Sequence, residues 1–201
     1  MKNLFKISLI LTLVVFNAPF ILAEEVQKPE DVAVIADFDN PQPTNNVGQE
    51  IEIWLREDGS DKTQGCKMSF VEDDALGKTD GHSLRLDYDV DSPNPAYNGL
   101  RMGLNHFNAT SFKTLNFYLK GDAQQGFTQQ LKVELIGPDK RPSPHMVNDI
   151  TTEWKKFSIP LDEFLTIRDP SDLEKFTVVF ADINNDPRVG TVYIDQVYFS
   201  K

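Results

Sequence analysis

Apolar side chains recur at every second position in five separate stretches of this sequence, and this spacing restricts the fold more than any other feature. The alternation lies in residues 51–55, 83–90, 100–105, 115–120 and 131–135. A period of two places successive side chains on opposite faces of a strand, so each stretch predicts a β-strand with one buried face and one wet face. Together with the turn signals between them, these stretches predict about eight or nine short strands in an all-β sandwich or barrel.

The C-terminal stretch, residues 151–199, adds three apolar runs separated by polar turns. The first run ends at Pro160, because proline cannot donate a hydrogen bond to a neighbouring strand. The last run, Gly-Thr-Val-Tyr-Ile-Asp-Gln-Val-Tyr-Phe, is rich in the β-branched and aromatic residues that favour strands. Asp195 lies in the middle of that run. An ionised carboxylate inside a strand costs free energy unless it is hydrogen-bonded, paired or bound to a metal.

The same stretch carries a family resemblance. Three segments in order carry it: Thr-Thr-Glu-Trp-Lys-Lys-Phe-Ser-Ile-Pro-Leu-Asp-Glu-Phe, a strand ending in Val-Val-Phe, and the last run. This order resembles the end of non-catalytic carbohydrate-binding modules of the galactose-binding-like group. With Ala-Asp-Phe-Asp-Asn (36–40) in a first strand, the resemblance covers almost the whole chain after residue 31. The domain of complex I intermediate-associated protein is also similar. The resemblance implies a jelly-roll β-sandwich of two antiparallel sheets.

Residues 1–23 have the pattern of a signal peptide. Two lysines precede an apolar core in residues 7–16, and Ala23 supplies a small residue at the cleavage site. A membrane anchor is the alternative, but Asn17 and Pro19 interrupt a core that is short for a span of about 20 residues. We therefore expect a periplasmic or secreted protein with no membrane span after cleavage. Residues 24–31 are expected to form a flexible lead, and residues 32–201 a single domain.

The charge balance argues against nucleic acid as a partner. The chain has a net charge of −11, and removal of residues 1–23, which contain two lysines and no acid, would make it −13. Affinity for phosphate needs clustered lysine and arginine. The lone cysteine, Cys66, shares a strand face with Met68 and Phe70 and is predicted to be a buried structural residue.

The sequence contains no recognised catalytic motif. Neither Gly-x-Ser-x-Gly nor His-Glu-x-x-His is present, and His82, His106 and His145 do not have metal-ligand spacing. A glycosidase needs only two carboxylates, but 31 acids produce many pairs by chance. The expectation is a protein that is not an enzyme, with an unrecognised acid pair as the alternative.

Aromatic residues that alternate away from the core are the candidates for ligand contact. Trp54 and Tyr118 are predicted to point outward, and Tyr97 to form a rim in a loop. Their polar neighbours would be Arg101, Asn116 and Glu134. Sugar rings stack their apolar faces on such aromatic side chains while polar groups bind the hydroxyls. The alternative for each residue is an ordinary exposed aromatic side chain, which needs no function.

The resemblance also implies a structural calcium ion. In modules of this group, calcium often joins acids on the first and last strands, with carbonyl oxygens from a loop such as Gly-Lys-Thr-Asp-Gly (77–81). The corresponding residues here are Asp39 and Asp195, with Asp80 as a third. Carboxylate and carbonyl oxygens are the ligands that Ca²⁺ prefers. The alternative is that backbone N–H groups satisfy Asp195 and the other acids are simply solvated.

These observations predict an exported, non-catalytic carbohydrate-binding module that acts in trans, with a polysaccharide or oligosaccharide as its partner and a structural calcium. The main alternative is a protein-interaction or assembly module of the complex I intermediate-associated type, with a protein partner and no glycan ligand. The two differ in whether the folded protein binds a glycan, or binds no glycan and retains a protein partner in a pull-down.

Overall fold

The computed structural model describes residues 31–56, 61–72, 75–77 and 81–201. Within these residues the chain forms a 3-10 turn at Leu161–Glu163 and eleven strands. The strands are β1 (Val32–Ala36), β2 (Ile51–Leu55), β3 (Gly65–Val71), β4 (Ser83–Asp89), β5 (Tyr97–Phe107), β6 (Thr114–Gly121), β7 (Gln130–Ile136), β8 (Pro142–Asn148), β9 (Lys155–Pro160), β10 (Leu173–Ala181) and β11 (Val189–Ser200).

The strands form two antiparallel sheets, as predicted. One sheet has the order β3-β4-β11-β6-β9, with β1 also paired to β11, and the other has the order β2-β5-β10-β7-β8. The two sheets face each other across one hydrophobic core, which makes the fold an all-β jelly-roll sandwich. The predicted signal peptide and the predicted lead up to residue 30 lie outside the described residues. Within those residues, no helix has the length and apolar character needed to cross a bilayer.

The last strand, β11, connects the six-stranded sheet. One edge of β11 pairs with β4 through residues 189–194 and then with β1 through residues 197–200, while its other edge pairs with β6. The change of partner falls at a bulge after Asp195, where Gln196 has a left-handed φ of 50°. The buried acid that the sequence singled out therefore lies where the first strand of the domain takes over from β4.

Aromatic pairs bridge the two sheets. Ring centroids lie 4.3 Å apart for Tyr88–Phe180, 4.8 Å for Phe107–Phe199 and 5.9 Å for Phe117–Phe176. Such pairs contribute about 0.5–1.5 kcal/mol each beyond the area that they bury. These pairs hold the two sheets together from inside, so the side chains on the outer faces are not needed for contact between the sheets.

Two predicted boundaries are wrong. The sequence of residues 32–38 predicts one strand, but β1 ends at Ala36, and Phe38 has a left-handed φ of 55° although its side chain is buried. The sequence Pro-Asp-Lys-Arg-Pro-Ser-Pro (138–144) predicts a proline-rich loop, but β8 already begins at Pro142. Two prolines fit here because β8 is the edge strand of its sheet, and its free edge needs no N–H donor.

Cys66 allows a test of the strand faces. Its side chain packs against the core beside Met68 and Phe70, although the residue is only half-buried rather than fully buried as predicted. Burial and the nearby Asp87 carboxylate raise the pKa of its thiol to about 12. Because the thiolate is the reactive form, we expect iodoacetamide at pH 8 to alkylate the native protein about tenfold or more slowly than the protein in urea. Equal rates, measured by mass spectrometry, would show that β3 presents Cys66 to solvent.

Candidate functional site

The face of the five-stranded sheet that points away from the core carries side chains in rows across the strands. In one row, Trp54 is opposite Gly99, which is opposite Val179, and Lys132 follows on β7. The next row contains one residue from each of the five strands, Glu52, Arg101, Thr177, Glu134 and Pro144. Because the residues between these rows, Ile53, Leu100, Val178 and Val133, lie in the core or pack against it, the two rows stand on the outer face.

A groove of about 550 Å³, here called the sheet groove, lies across these rows. Its floor is formed by three side chains of β10 that are almost completely covered, Thr177, Val179 and Ala181. Its other lining residues are Trp54, Pro95, Tyr97, Arg101, Lys132, Glu134, Ile136, Pro142, Asp182, Ile183 and Asn184. The volume lies within the range of small-molecule sites, and the lining combines apolar surface with a few polar groups, as such sites do.

Two aromatic rings form one end of the sheet groove. The centroids of Trp54 and Tyr97 lie 5.9 Å apart with the rings tilted by 49°. The guanidinium carbon of Arg56 lies 5.6 Å from the Tyr97 centroid, and Arg56 Nη1 donates a hydrogen bond of 2.6 Å to the Pro95 carbonyl. Tyr97 is 36% exposed. Arg56 therefore contacts the Tyr97 ring, and both rings line the groove.

Trp54 also has an unusual polar feature. Its indole Nε1 is buried and has no hydrogen-bond partner among the described residues. A buried donor without an acceptor costs roughly 1–3 kcal/mol, and buried tryptophans usually avoid that cost. Packing alone therefore does not explain a tryptophan here.

Three charged side chains of the sheet groove, those of Arg101, Lys132 and Glu134, are paired. Arg101 Nε donates to Glu52 Oε1 at 2.7 Å, and Lys132 Nζ lies 2.9 Å from Glu134 Oε1. Thr177 Oγ1 donates to the other carboxylate oxygen of Glu134 at 3.2 Å. Glu134 is therefore fixed by two neighbours, and its charge is balanced. Such a site supplies oriented hydrogen-bonding groups without a strong net field.

Gly99 keeps the floor of the sheet groove at the level of the backbone next to Trp54. A Cβ atom at this position would lie 2.0 Å from the carbonyl oxygen of Val178, a distance that no side chain tolerates. Since the position between Trp54 and Val179 has no side chain, the indole borders an open floor.

The structure brings together four of the six residues that the sequence suggested for carbohydrate contact. Trp54, Tyr97, Arg101 and Glu134 all line the sheet groove. In the sequence, Tyr97 was placed in a surface loop, but it is the first residue of β5.

Asn116 and Tyr118 lie on β6, in the other sheet, and are not part of this groove. Asn116 is only 2% exposed, so it does not point outward as predicted. Its buried amide is satisfied, since Nδ2 donates to Ser200 Oγ at 3.0 Å and Oδ1 accepts from Ser158 Oγ at 2.7 Å. Tyr118 borders a separate depression of about 400 Å³ beside Tyr198.

Sequence reasoning missed several lining residues of the sheet groove. Lys132 alternates outward in the same run as Glu134, so its position was available from the periodicity. Thr177 and Val179 lie in the run Phe-Thr-Val-Val-Phe (176–180), in which three consecutive apolar residues, 178–180, hide the outer face. Ile183 and Asn184 come from the loop after β10, and only the fold places them at the groove.

The acids suggested as calcium ligands lie at the bulge of β11 and just after β1. Asp195 is 2% exposed, and its two carboxylate oxygens accept hydrogen bonds from the N–H groups of Leu76 (3.0 Å) and Gln196 (2.7 Å). Asp39 Oδ1 accepts from the N–H of His82 at 3.4 Å. The two carboxylates therefore contact the same connection between β3 and β4, at Leu76 and at His82. Asp80, the third residue suggested, lies outside the described residues, among which no group of three or more His, Cys, Asp or Glu side chains is clustered.

Comparison with protein families gives one match. The profile of the family described as carbohydrate binding domain 30 matches residues 44–201, which include ten of the eleven strands. No curated protein matches the sequence.

Solved structures of carbohydrate-binding modules have the same fold. The family 11 module of a cellulosomal cellulase of Clostridium thermocellum is 12% identical, with a TM-score of 0.59, and the match covers 84% of this chain and 94% of that one. The same kind of module from this organism, in complex with a β-1,3-1,4-mixed-linked tetrasaccharide, is 13% identical, with a TM-score of 0.60 and coverage of 85% and 95%. An exo-β-agarase matches with 12% identity and a TM-score of 0.59 over 84% of this chain and 25% of its own.

These comparisons confirm the sequence-based expectation of a jelly-roll module that binds carbohydrate and is not an enzyme. They give no support to the resemblance to complex I intermediate-associated protein. The family match covers more than three quarters of the chain, and the structural matches extend over both sheets. The chain belongs to the carbohydrate binding domain 30 family and is a non-catalytic carbohydrate-binding module.

Proposed function

We propose that the sheet groove is the glycan-binding site and that its ligand is a neutral polysaccharide or oligosaccharide. One observation carries this proposal: Trp54, Tyr97, Arg101 and Glu134, which were selected for their residue type and outward direction, meet in one groove of about 550 Å³. A β-sheet with an ordinary solvated face does not need an aromatic pair beside a floor of small residues.

The side chains of the sheet groove offer two kinds of contact to a sugar, apolar stacking and hydrogen bonding. Trp54 and Tyr97 offer apolar ring faces to the apolar face of a sugar. Arg101, Lys132 and Glu134 are held by their partners, so they present donors and acceptors to sugar hydroxyls without first having to be ordered. Thr177 and Val179, flat on the floor, let a chain lie close to the sheet.

The charge pattern supports a neutral ligand. The cations of the groove, Arg101 and Lys132, each have a carboxylate partner, and Asp182 adds a further acid to the lining. An acidic glycan would therefore find no unpaired cation among the described lining residues and would meet a chain with a net charge of −11. Binding of a neutral chain should depend little on salt, because it releases no condensed counterions.

The proposal is tested by affinity electrophoresis of the protein from residue 24 onward in gels that contain one polysaccharide each. The neutral set is mixed-linked β-1,3-1,4-glucan, hydroxyethylcellulose, glucomannan and galactomannan, and the acidic set is polygalacturonate and alginate. Mixed-linked glucan comes first because its tetrasaccharide occupies the Clostridium thermocellum module. We expect retardation by at least one neutral polymer and by neither acidic polymer.

Retardation by the acidic polymers alone, lost at high salt, would contradict the proposal of a neutral ligand. If the folded protein is retarded by none of the six polymers, the sheet groove is not a site for polysaccharides of these classes.

We further propose that a structural calcium ion joins Asp39 and Asp195. Both are oxygen donors of the kind that Ca²⁺ prefers, and both contact the connection between β3 and β4. Backbone carbonyls of that connection, with Asp80, would supply further ligands. The ion would add positive charge at a buried carboxylate and tie the first strand to the last. The competing interpretation is that the N–H groups of Leu76 and Gln196 satisfy Asp195 without a metal.

Export and action in trans complete the proposal. The pattern of residues 1–23 supports cleavage after Ala23 and release into the periplasm or the medium. N-terminal sequencing of the protein recovered from the native host should begin at Glu24. A protein that begins at Met1 and sediments with membranes would contradict it.

A further inference from the structure

A second groove opens at the end of the sandwich, beyond the loop that follows β10. It has a volume of about 540 Å³, and we call it the end groove. Its lining includes Phe127, Gln130, Asn148, Asp149, Asp186 and Pro187. Unlike the sheet groove, it is lined mainly by polar side chains.

The two grooves are neighbours on the same face. Gln130 and Asn148 are opposite each other on β7 and β8, and Gln130 has the same outward direction as Lys132 in the sheet groove. Gln130 Nε2 donates a hydrogen bond of 2.5 Å to the carbonyl of Asn184, a residue that lines the sheet groove. One loop, residues 182–187, therefore forms the ridge between the grooves.

Hydrogen bonds hold the ridge in place. Asn185 is 4% exposed, its Nδ2 donates to the carbonyl of Gln130 at 2.8 Å, and its Oδ1 accepts from the N–H of Ala181 at 2.5 Å. The ridge is thus attached to both β7 and β10. A ligand that follows this face from the sheet groove meets a fixed step and not a loop that must first be ordered.

The opposite wall of the end groove is also preformed. Phe127 packs flat on β6, since a Cβ atom at Gly121 would lie 2.1 Å from its ring. Two bonds of the 122–129 loop support it: the carbonyl of Gly126 accepts from the N–H of Thr191 at 2.9 Å, and Asp122 Oδ1 accepts from the N–H of Gln124 at 2.8 Å. The half-buried ring therefore lies against β6 and lines the groove.

Three polar side chains of the end groove are available to a ligand. Within the described residues, the side chains of Asn148, Asp149 and Asp186 make no hydrogen bond or ion pair with another residue. Carboxylates accept hydrogen bonds from sugar hydroxyls, an amide both donates and accepts, and Phe127 and Pro187 add apolar surface. Two carboxylates disfavour an anionic ligand, as in the sheet groove.

We propose that the end groove is a second sugar-binding subsite, which holds units of the same neutral glycan chain after it crosses the ridge at residues 182–187. This inference rests on the proposed function of the sheet groove. Its consequence is that affinity depends on chain length: a short oligosaccharide occupies the sheet groove alone, whereas a longer one also reaches Asn148 and Asp186.

The test uses the neutral polysaccharide that retards the wild-type protein most strongly, and the tetrasaccharide and octasaccharide prepared from it. Calorimetry compares the wild type with the double variant Asn148→Ala/Asp186→Ala. We expect the variant to lose about three- to tenfold in affinity for the octasaccharide, the effect of one or two lost hydrogen bonds, and to bind the tetrasaccharide as the wild type does. Gln124→Ala, an exposed polar residue at the same end that lines neither groove, is the matched control and should change neither affinity.

Three results would overturn the inference. The first is a wild type that binds the two oligosaccharides equally well. The second is a double variant that binds the octasaccharide as the wild type does. The third is a double variant whose affinity falls by the same factor for both oligosaccharides. Failure of the proposed function itself is recognised separately, because the wild type would then bind none of the neutral polymers, and the end groove would lose its basis as well.

Discussion

Replacing Trp54 by alanine is expected to weaken glycan binding by roughly five- to 150-fold. By analogy with aromatic stacking on nucleic-acid bases, one lost stacking partner costs on the order of 1–3 kcal/mol, which gives that range. Trp54 is half-buried and stands on the outer face, and its indole N–H has no partner among the described residues to lose. The melting temperature should therefore stay nearly unchanged. Calorimetry with the polysaccharide that retards the wild-type protein measures the affinity, and a thermal melt of the same preparation measures the melting temperature.

Two matched variants sharpen this test. Tyr118→Ala removes an aromatic side chain from the other sheet and should leave the affinity unchanged, because Tyr118 does not line the sheet groove. Trp54→Phe keeps an aromatic ring without the buried N–H and should retain more affinity than alanine does. The opposite pattern, in which Tyr118→Ala abolishes binding and Trp54→Ala does not, would move the binding site to the six-stranded sheet. Unfolding of Trp54→Ala would assign the indole to packing.

Exhaustive chelation with EGTA is expected to lower the melting temperature by about 5–11 °C. A ligand that binds only the folded state at a hundredfold excess over its Kd stabilises it by about 2.7 kcal/mol. In a domain of 150–250 residues, each kcal/mol corresponds to roughly 2–4 °C. Returning calcium should restore the melt, and magnesium should do so less well, because it demands a smaller octahedral site.

Asp195→Ala should abolish the calcium response. The variant will be less stable in any case, because the N–H groups of Leu76 and Gln196 lose their acceptor, so the readout is the difference between melts with and without calcium. Asp122→Ala is the matched control, since Asp122 also accepts hydrogen bonds from two backbone N–H groups but does not contact the described residues of the connection between β3 and β4, and its response to calcium should stay normal. A wild-type melt that does not change on chelation would leave Asp195 as a carboxylate satisfied by backbone N–H groups.

The fold was accessible from the sequence because strand alternation is a local signal that the core enforces. Leu84, Leu86 and Tyr88 are all buried, as the period of two predicts. The predictions went wrong where that signal stops. Phe38 is apolar and buried, but it reaches the core from a left-handed turn, which alternation cannot distinguish from a strand.

The candidate site was only partly accessible, for a related reason. Alternation says that a side chain points outward, but it does not say from which sheet. Trp54 and Tyr118 have the same local pattern, and only the pairing of β2 with β5 and of β6 with β11 places them on opposite sides of the molecule. Residues such as Asn184 are brought to the groove by a loop whose sequence carries no sign of it.

The prolines of β8 have a consequence for crowded copies of this module. Pro142 and Pro144 lie on β8, which is one edge of the five-stranded sheet, and they pair with Ile136 and Glu134 of β7. An edge that lacks N–H groups at alternate positions is a poor template for a further strand from another molecule. Many copies aligned along one polymer would therefore resist fusion of their sheets at the β8 edge, and each would keep its own groove open at the Pro142 side.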